Sequence, residues 1–240
     1  MFILKLNVIK MQLEKPNNPT DVYLILHESA FYPRGLEYEY MTGSLRNDLQ
    51  KRKFGPALTD LGYQRTKKIA GELSNSRIEE IITDEFTTPL ETARVIAYRG
   101  LDIPQITGNE DNIRRKIREE GIVADSRIAE SDLSYLTRER FGELFFKSKD
   151  DPFIFTMDWY AQASQNEKDI LYNGHVEVWN QAMKRNSGKP FAFVLHVEGM
   201  QFFMNELLER PRDKMVDLHF KKGNYAHVKV FPDRNTIVSF

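Results

Sequence analysis

The stretch VYLILH, residues 22–27, decides the fold of this 240-residue chain. Five consecutive apolar residues precede a histidine, and the turn-forming residues Asn17, Asn18 and Pro19 lie shortly before them. A short run of this kind predicts a strand that is buried on both faces of a parallel sheet. The run FAFVLH, residues 191–196, repeats the pattern. The sequence therefore predicts two buried strands that each end at a histidine.

Segments with helical periodicity and short strands alternate around these two runs. Further strands are predicted at 79–83, 122–124, 227–231 and 236–240, and helices at about 60–73, 88–98, 136–147, 174–186 and 199–209. This alternation predicts one α/β domain over residues 1–240, a three-layer sandwich with a mainly parallel sheet flanked by helices. It carries an N-terminal strand extension at about residues 1–20 and a loop or helical insertion at about residues 137–173.

Composition excludes several classes of partner and site. The chain has 34 basic and 35 acidic residues, so its net charge of −1 gives no electrostatic reason to bind nucleic acid or an anionic membrane. The absence of cysteine excludes disulfides, thiolate metal ligands and cysteine nucleophiles. No stretch approaches the roughly 20 apolar residues of a membrane span. We expect a cytoplasmic protein.

The histidines that end the two apolar runs are the first candidate site residues. Ligands of open α/β sheets bind beyond the carboxyl ends of the strands. His27 and His196 should both open onto that crevice. One histidine at a strand end is more often structural, whereas two in matching positions favour a functional site.

The order of short motifs resembles that of the histidine phosphatase (phosphoglycerate mutase-like) superfamily. That family has a strand ending in Arg-His-Gly-Glu, a helix starting with Leu-Thr-x-x-Gly, the motif Ser-x-x-x-Arg-Ala-x-x-Thr-Ala, a glutamate motif, a strand ending in His-Gly, and a final Asn-x-Ser/Ala strand. The corresponding segments are LHES (26–29), LTDLG (58–62), DEFTTPLETA (84–93), RIAE (127–130), LHVEG (195–199) and NYAHV (224–228). The resemblance covers the chain from about Val22 to its end.

The resemblance implies a phosphoesterase that works through a phosphohistidine. By position, His27 would attack phosphorus, His196 would hold phosphoryl oxygens, and Glu130 would be the acid or a supporting carboxylate. A neutral imidazole is nucleophilic near pH 7, but the transferring phosphoryl group needs cationic partners. No cofactor and no metal ion are expected, and the substrate would be a small phosphorylated molecule or a phosphopeptide.

Four residues depart from the family pattern. Leu26 and Thr88 stand where the family has the two arginines that clamp phosphate, and neither side chain can replace a bidentate guanidinium. Glu28 and Glu198 follow the two histidines, where inward-facing carboxylates would repel a phosphate dianion.

Three interpretations stay open. In a divergent phosphatase, replacement cations or polar contacts would come from Arg34, Arg46, Arg94 or Thr88 itself. In a catalytically degenerate domain, the fold would serve binding or assembly. In a third and weaker interpretation, the two histidines with Glu28 and Glu198 gather a cation. Retention of both histidines and Glu130 favours the phosphatase.

The aromatic segment FIFTMDWY, residues 153–160, lies where the family has its variable insertion. It is compatible with a substrate pocket, a homodimer interface or ordinary core packing.

Overall fold

The computed structural model describes residues 12–27, 58–104, 110–129, 135–147, 154–210, 224–233 and 235–239. In these residues the strands are β1 (Thr20–Leu26), β2 (Glu80–Thr83), β3 (Ile122–Ala124), β4 (Phe191–Leu195), β5 (Tyr225–Val230) and β6 (Asn235–Ser239). The helices are α1 (Asp60–Glu72), α2 (Thr87–Ala97), α3 (Glu110–Glu119), α4 (Arg138–Lys147), α5 (Ile154–Gln162), α6 (Gln165–Arg185) and α7 (Val197–Leu207). The first eleven residues of the predicted N-terminal extension lie outside the described ranges.

The six described strands form one mixed sheet in the order β3-β2-β4-β1-β5-β6. The first four strands are mutually parallel, whereas β5 runs antiparallel to β1 and β6 antiparallel to β5. Strands β1 and β4 pair in register from Val22–Phe191 to Leu26–Leu195, so they end at the same level. The predicted mainly parallel sheet, with the two apolar runs side by side at its centre, is confirmed.

Two apolar cores lie on opposite faces of the sheet, because alternate strand residues point to opposite sides. Tyr23, Ile25, Ala192 and Val194 pack with residues of α1, α2 and α3. Leu24, Leu26, Phe193 and Leu195 pack with residues of α4, α5, α6 and α7. Burial on both faces explains why β1 and β4 read as continuous apolar runs rather than as alternating ones.

The helices differ most from prediction at their starts. Helix α6 begins at Gln165, nine residues earlier than predicted, because Ser164 and Glu167 form a capping box. The Ser164 N–H donates to Glu167 Oε2 at 2.7 Å, and the Glu167 N–H donates to Ser164 Oγ at 3.3 Å. Helix α7 follows β4 with only His196 between them, two residues earlier than predicted.

Core packing accounts for most of the aromatic segment. Its residues 154–160 lie in α5, in which Phe155, Trp159 and Tyr160 are buried in the core shared with α4 and α6, and Met157 is exposed. Within the described ranges, no helix is long and apolar enough to cross a membrane.

Candidate functional site

The register of the central strands brings His27 and His196 to one edge of the sheet. The His27 N–H donates to the Leu195 carbonyl at 3.0 Å, which extends the parallel ladder one residue beyond β1. His196 is the junction between β4 and α7, with an extended backbone. Both imidazoles therefore leave the carboxyl ends of adjacent strands, where ligands bind in α/β sheets.

The two imidazoles are in direct contact. His27 Nε2 lies 3.0 Å from His196 Nδ1, and the rings meet edge-on with their centroids 4.5 Å apart. His196 is 7% exposed, whereas His27 is half-buried. His27 is thus the member of the pair that is more open to solvent.

A buried carboxylate completes a chain of three groups. Asp84, the first residue after β2, is 1% exposed and its Oδ2 is hydrogen-bonded to His196 Nε2. Its Oδ1 accepts the Phe86 N–H at 2.9 Å. The sequence prediction assigned Asp84 no role. The available signal was its place directly after a strand at the same edge as the two histidines.

The positions of the protons shared by Asp84, His196 and His27 follow from which of their atoms can donate and which can accept hydrogen bonds. An ionised Asp84 only accepts hydrogen bonds, so His196 Nε2 carries a proton. The proton between the imidazoles then sits on His196 Nδ1, which makes His196 a cation, or on His27 Nε2, which leaves both rings neutral. In the first arrangement, His27 Nε2 holds a lone pair available for attack.

Two helices begin beside these three hydrogen-bonded side chains. Helix α2 starts just after Asp84 and Phe86, and α7 starts just after His196. Helix amino termini carry partial positive charge, which favours bound anions. The Phe86 ring meets His196 edge-on at a centroid distance of 6.2 Å, which places an apolar group beside the imidazole.

A third histidine lies behind the site. His175 of α6 is fully buried against Phe202, Phe203 and Gly199, and its Nδ1 contacts the Leu171 carbonyl at 2.8 Å. A Cβ atom at position 199 would lie 2.7 Å from His175 Nε2, so glycine permits this close approach. Burial lowers the pKa of His175 to about 4, and it is neutral at physiological pH.

His175 should make folding sensitive to acid. Its pKa is lower in the folded chain than the ordinary value of 6.5, so the unfolded chain binds the extra proton first. The stabilisation is complete above pH 6.5 and is lost as the pH falls towards 4, by about 3 kcal/mol. Urea unfolding across this range should give a shallower pH dependence for His175→Asn than for the parent. Parallel pH profiles would contradict this assignment.

The two positions of the missing arginines are both buried. Leu26 is 1% exposed and packs in the core beside α6 and α7. Thr88, in the first turn of α2, is 3% exposed. Neither residue brings a positive charge to the histidines.

Arg94 is engaged elsewhere. Its Nε and Nη2 donate to Glu120 at 2.7 and 2.8 Å, and Nη2 also donates to the Pro104 carbonyl at 2.6 Å. It lines a separate cavity of about 630 Å³ that includes neither His27 nor His196. The hydrogen bond to Glu120 raises the pKa of Arg94. The structure therefore does not bring this candidate to the histidines.

Glu198 lies in the first turn of α7, two residues after His196, and is 7% exposed. Burial and the Asp158 carboxylate raise the pKa of Tyr135, and Glu198 adds to that effect. Glu198 is thus a buried acidic group close to both His196 and Tyr135.

The remaining candidates, Glu28, Arg34, Arg46 and Glu130, lie outside the described residues. Across the parts of the chain that are described, no group of three or more histidine, aspartate or glutamate side chains is arranged to hold a metal ion.

Neither the protein-family models nor the curated proteins contain a match to this sequence. Solved structures do match its fold. Bacillus stearothermophilus YhfR aligns with a TM-score of 0.60 at 18% identity, over 92% of this chain and 96% of that one. The alpha-ribazole phosphatase from Shigella flexneri aligns with a TM-score of 0.57 at 10% identity, over 91% of this chain and 95% of that one. The phosphoglycerate mutase from Bacillus anthracis aligns with a TM-score of 0.55 at 10% identity, over 93% of each chain. This chain has the fold of the histidine phosphatase (phosphoglycerate mutase-like) superfamily.

Proposed function

We propose that the protein hydrolyses phosphomonoesters through a phosphohistidine at His27. The observation that carries this proposal is the chain of contacts from buried Asp84 through His196 to His27 at the carboxyl edge of the sheet. The fold, shared with an alpha-ribazole phosphatase and a phosphoglycerate mutase, supports the same chemistry. A small phosphorylated molecule or a phosphopeptide is the proposed substrate.

Substrate binding would open the contact between the histidines. A phosphoryl oxygen takes the place of His27 Nε2 as acceptor of the His196 Nδ1 proton, in a charge-assisted hydrogen bond. The amino termini of α2 and α7 add partial positive charge on the same side. This exchange frees the Nε2 lone pair of His27 while its target is held beside it.

Transfer and hydrolysis then follow in two steps. His27 Nε2 forms a bond to phosphorus as the bond from phosphorus to the leaving oxygen breaks, and that oxygen takes a proton from an acid. Glu130 is the proposed acid. Water next attacks phosphorus and gives a proton to the Glu130 carboxylate, the bond from nitrogen to phosphorus breaks, and phosphate leaves with His27 and Glu130 restored.

One observation favours a second candidate function, a catalytically degenerate binding or assembly domain. Leu26 and Thr88 are buried where the resembled family has arginines, so two preorganised cations are missing from the transition state. Losing one such donor typically costs about 3–4 kcal/mol of transition-state stabilisation.

An assay of the parent protein separates the two functions. Purified protein is incubated with a panel of phosphomonoesters, both with a metal chelator and with added divalent ions, and released phosphate is measured. We expect hydrolysis of at least one substrate, with a rate that the chelator leaves unchanged. Hydrolysis that depends on added metal would contradict the proposed mechanism, and no hydrolysis over a broad panel would favour the binding domain.

A further inference from the structure

We infer that Asp84 holds His196 as a cation, so that the pair serves as a titratable phosphate clamp in place of the missing arginines. Asp84 is then a positioning residue, because it acts on the phosphoryl group through His196. The inference rests on the proposed function and names how that site gains its positive charge.

Among the described residues, His196 is the partner of Asp84 that can carry an opposite charge. The carboxylate is 1% exposed, and its two oxygens are taken by the Phe86 N–H and by His196 Nε2. A buried carboxylate is costly without an opposite charge close by. Arg114 pairs instead with the neighbouring Glu85 at 2.6 Å. An imidazolium at His196 supplies the missing charge.

Several of the described groups face His196. His27 faces it from β1, and Asp84 and Phe86 face it from the junction of β2 and α2. His175 faces it from α6, and is neutral because it is fully buried. Of these four, only Asp84 is an anion. Glu198 lies on the same helix that His196 precedes and adds a second carboxylate close by.

A comparison with the family motif Ser-x-x-x-Arg-Ala-x-x-Thr-Ala shows how this arrangement differs from an arginine clamp. Asp84 stands where that motif has a serine, which cannot stabilise a cation by charge. Leu26 and Thr88 stand at the arginine positions, so one carboxylate is gained beside His196 where two guanidiniums are lost. A guanidinium keeps its charge at all physiological pH values, whereas an imidazolium does not. Oxyanion affinity should therefore fall as the pH rises.

Calorimetric titration with sulfate tests this inference, since sulfate stays a dianion from about pH 5 to about pH 9, the range in which imidazoles titrate. We expect the parent to bind sulfate at low pH and to lose about tenfold or more in affinity as the pH rises through the range in which imidazoles titrate. Asp84→Asn should lose that affinity at neutral pH. Asp21→Asn is the matched control, because Asp21 also contacts a histidine, His227, at a distance of 2.8 Å, and this pair lies away from the site. The Asp21→Asn variant should bind sulfate like the parent.

Nitrogen-15 NMR of labelled histidines reports the protonation of the His196 ring directly. That protonation would not change if Asp84 had only a structural role. At neutral pH, the signal of a doubly protonated His196 ring should be weaker in Asp84→Asn than in the parent. If Asp84→Asn does not fold, Asp84→Ser replaces it in both measurements, because serine is the residue that the family motif has at this position. The same losses are expected. Sulfate affinity that is independent of pH in the parent, or unchanged in a folded Asp84 variant, would overturn the inference. Sulfate binding of the expected kind without phosphomonoester hydrolysis would instead overturn the proposed function alone.

Discussion

The His27→Ala variant is expected to lose phosphomonoester hydrolysis by about 10³-fold or more, because it lacks the atom that forms the covalent intermediate. The imidazole that alanine removes is half-buried and contacts His196 through Nε2. Its loss should disturb folding little compared with its effect on the rate. Steady-state rates on a substrate found by the panel, together with thermal melting, give the two quantities.

A matched histidine variant provides the control. His227 also pairs with a carboxylate, Asp21, and stacks on Tyr23 with ring centroids 4.5 Å apart, but it lies on β5 and not at the site. His227→Ala should therefore hydrolyse substrate at the parent rate. Activity that survives in His27→Ala would show that His27 is not the nucleophile.

Replacing Leu26 by arginine is expected to lower the free energy of unfolding by about 4 kcal/mol. Leu26 is 1% exposed and packs in the core beside α6 and α7, so a guanidinium there is buried without a partner and displaces apolar neighbours. Chemical denaturation of Leu26→Arg beside the parent measures the difference.

Leu26→Met is the control, because a swap of similar volume and polarity usually costs less than about 1.5 kcal/mol. The Leu26→Arg variant also distinguishes a site that has only lost its arginines from a site that has been rebuilt. A Leu26→Arg protein as stable as the parent, with tighter sulfate binding, would show that position 26 opens onto the crevice. The site would then be a depleted arginine clamp rather than one rebuilt around Asp84 and His196.

The central part of the fold could be predicted from the sequence because one physical constraint produced a distinctive pattern. Strands buried on both faces need continuous apolar runs, and residues 22–26 and 191–195 are such runs. Their shared parallel register then brings His27 and His196 together. The start of α6 was predicted poorly, because its first turns are polar and only the Ser164–Glu167 capping box marks where it begins.

The site was predictable only where a residue's place in a strand fixed its location. Asp84 was overlooked because no sequence pattern indicates that a carboxylate will be 1% exposed and in contact with an imidazole. Arg94 was proposed as a replacement cation because it follows the Thr92–Ala93 motif. Its helix α2 instead directs it to Glu120, which lies 26 residues later in the chain. Such pairings depend on how helices pack, which local sequence does not encode.

Trapping the phosphorylated enzyme tests the central claim most directly. The parent protein is mixed with excess substrate, quenched in alkali to preserve phosphohistidine, digested, and analysed by mass spectrometry of its peptides. We predict one phosphoryl group, labile to acid, on the peptide that contains His27, and none in His27→Ala. Turnover by the parent with no such adduct, or with the phosphoryl group on another residue, would contradict a phosphohistidine mechanism at His27.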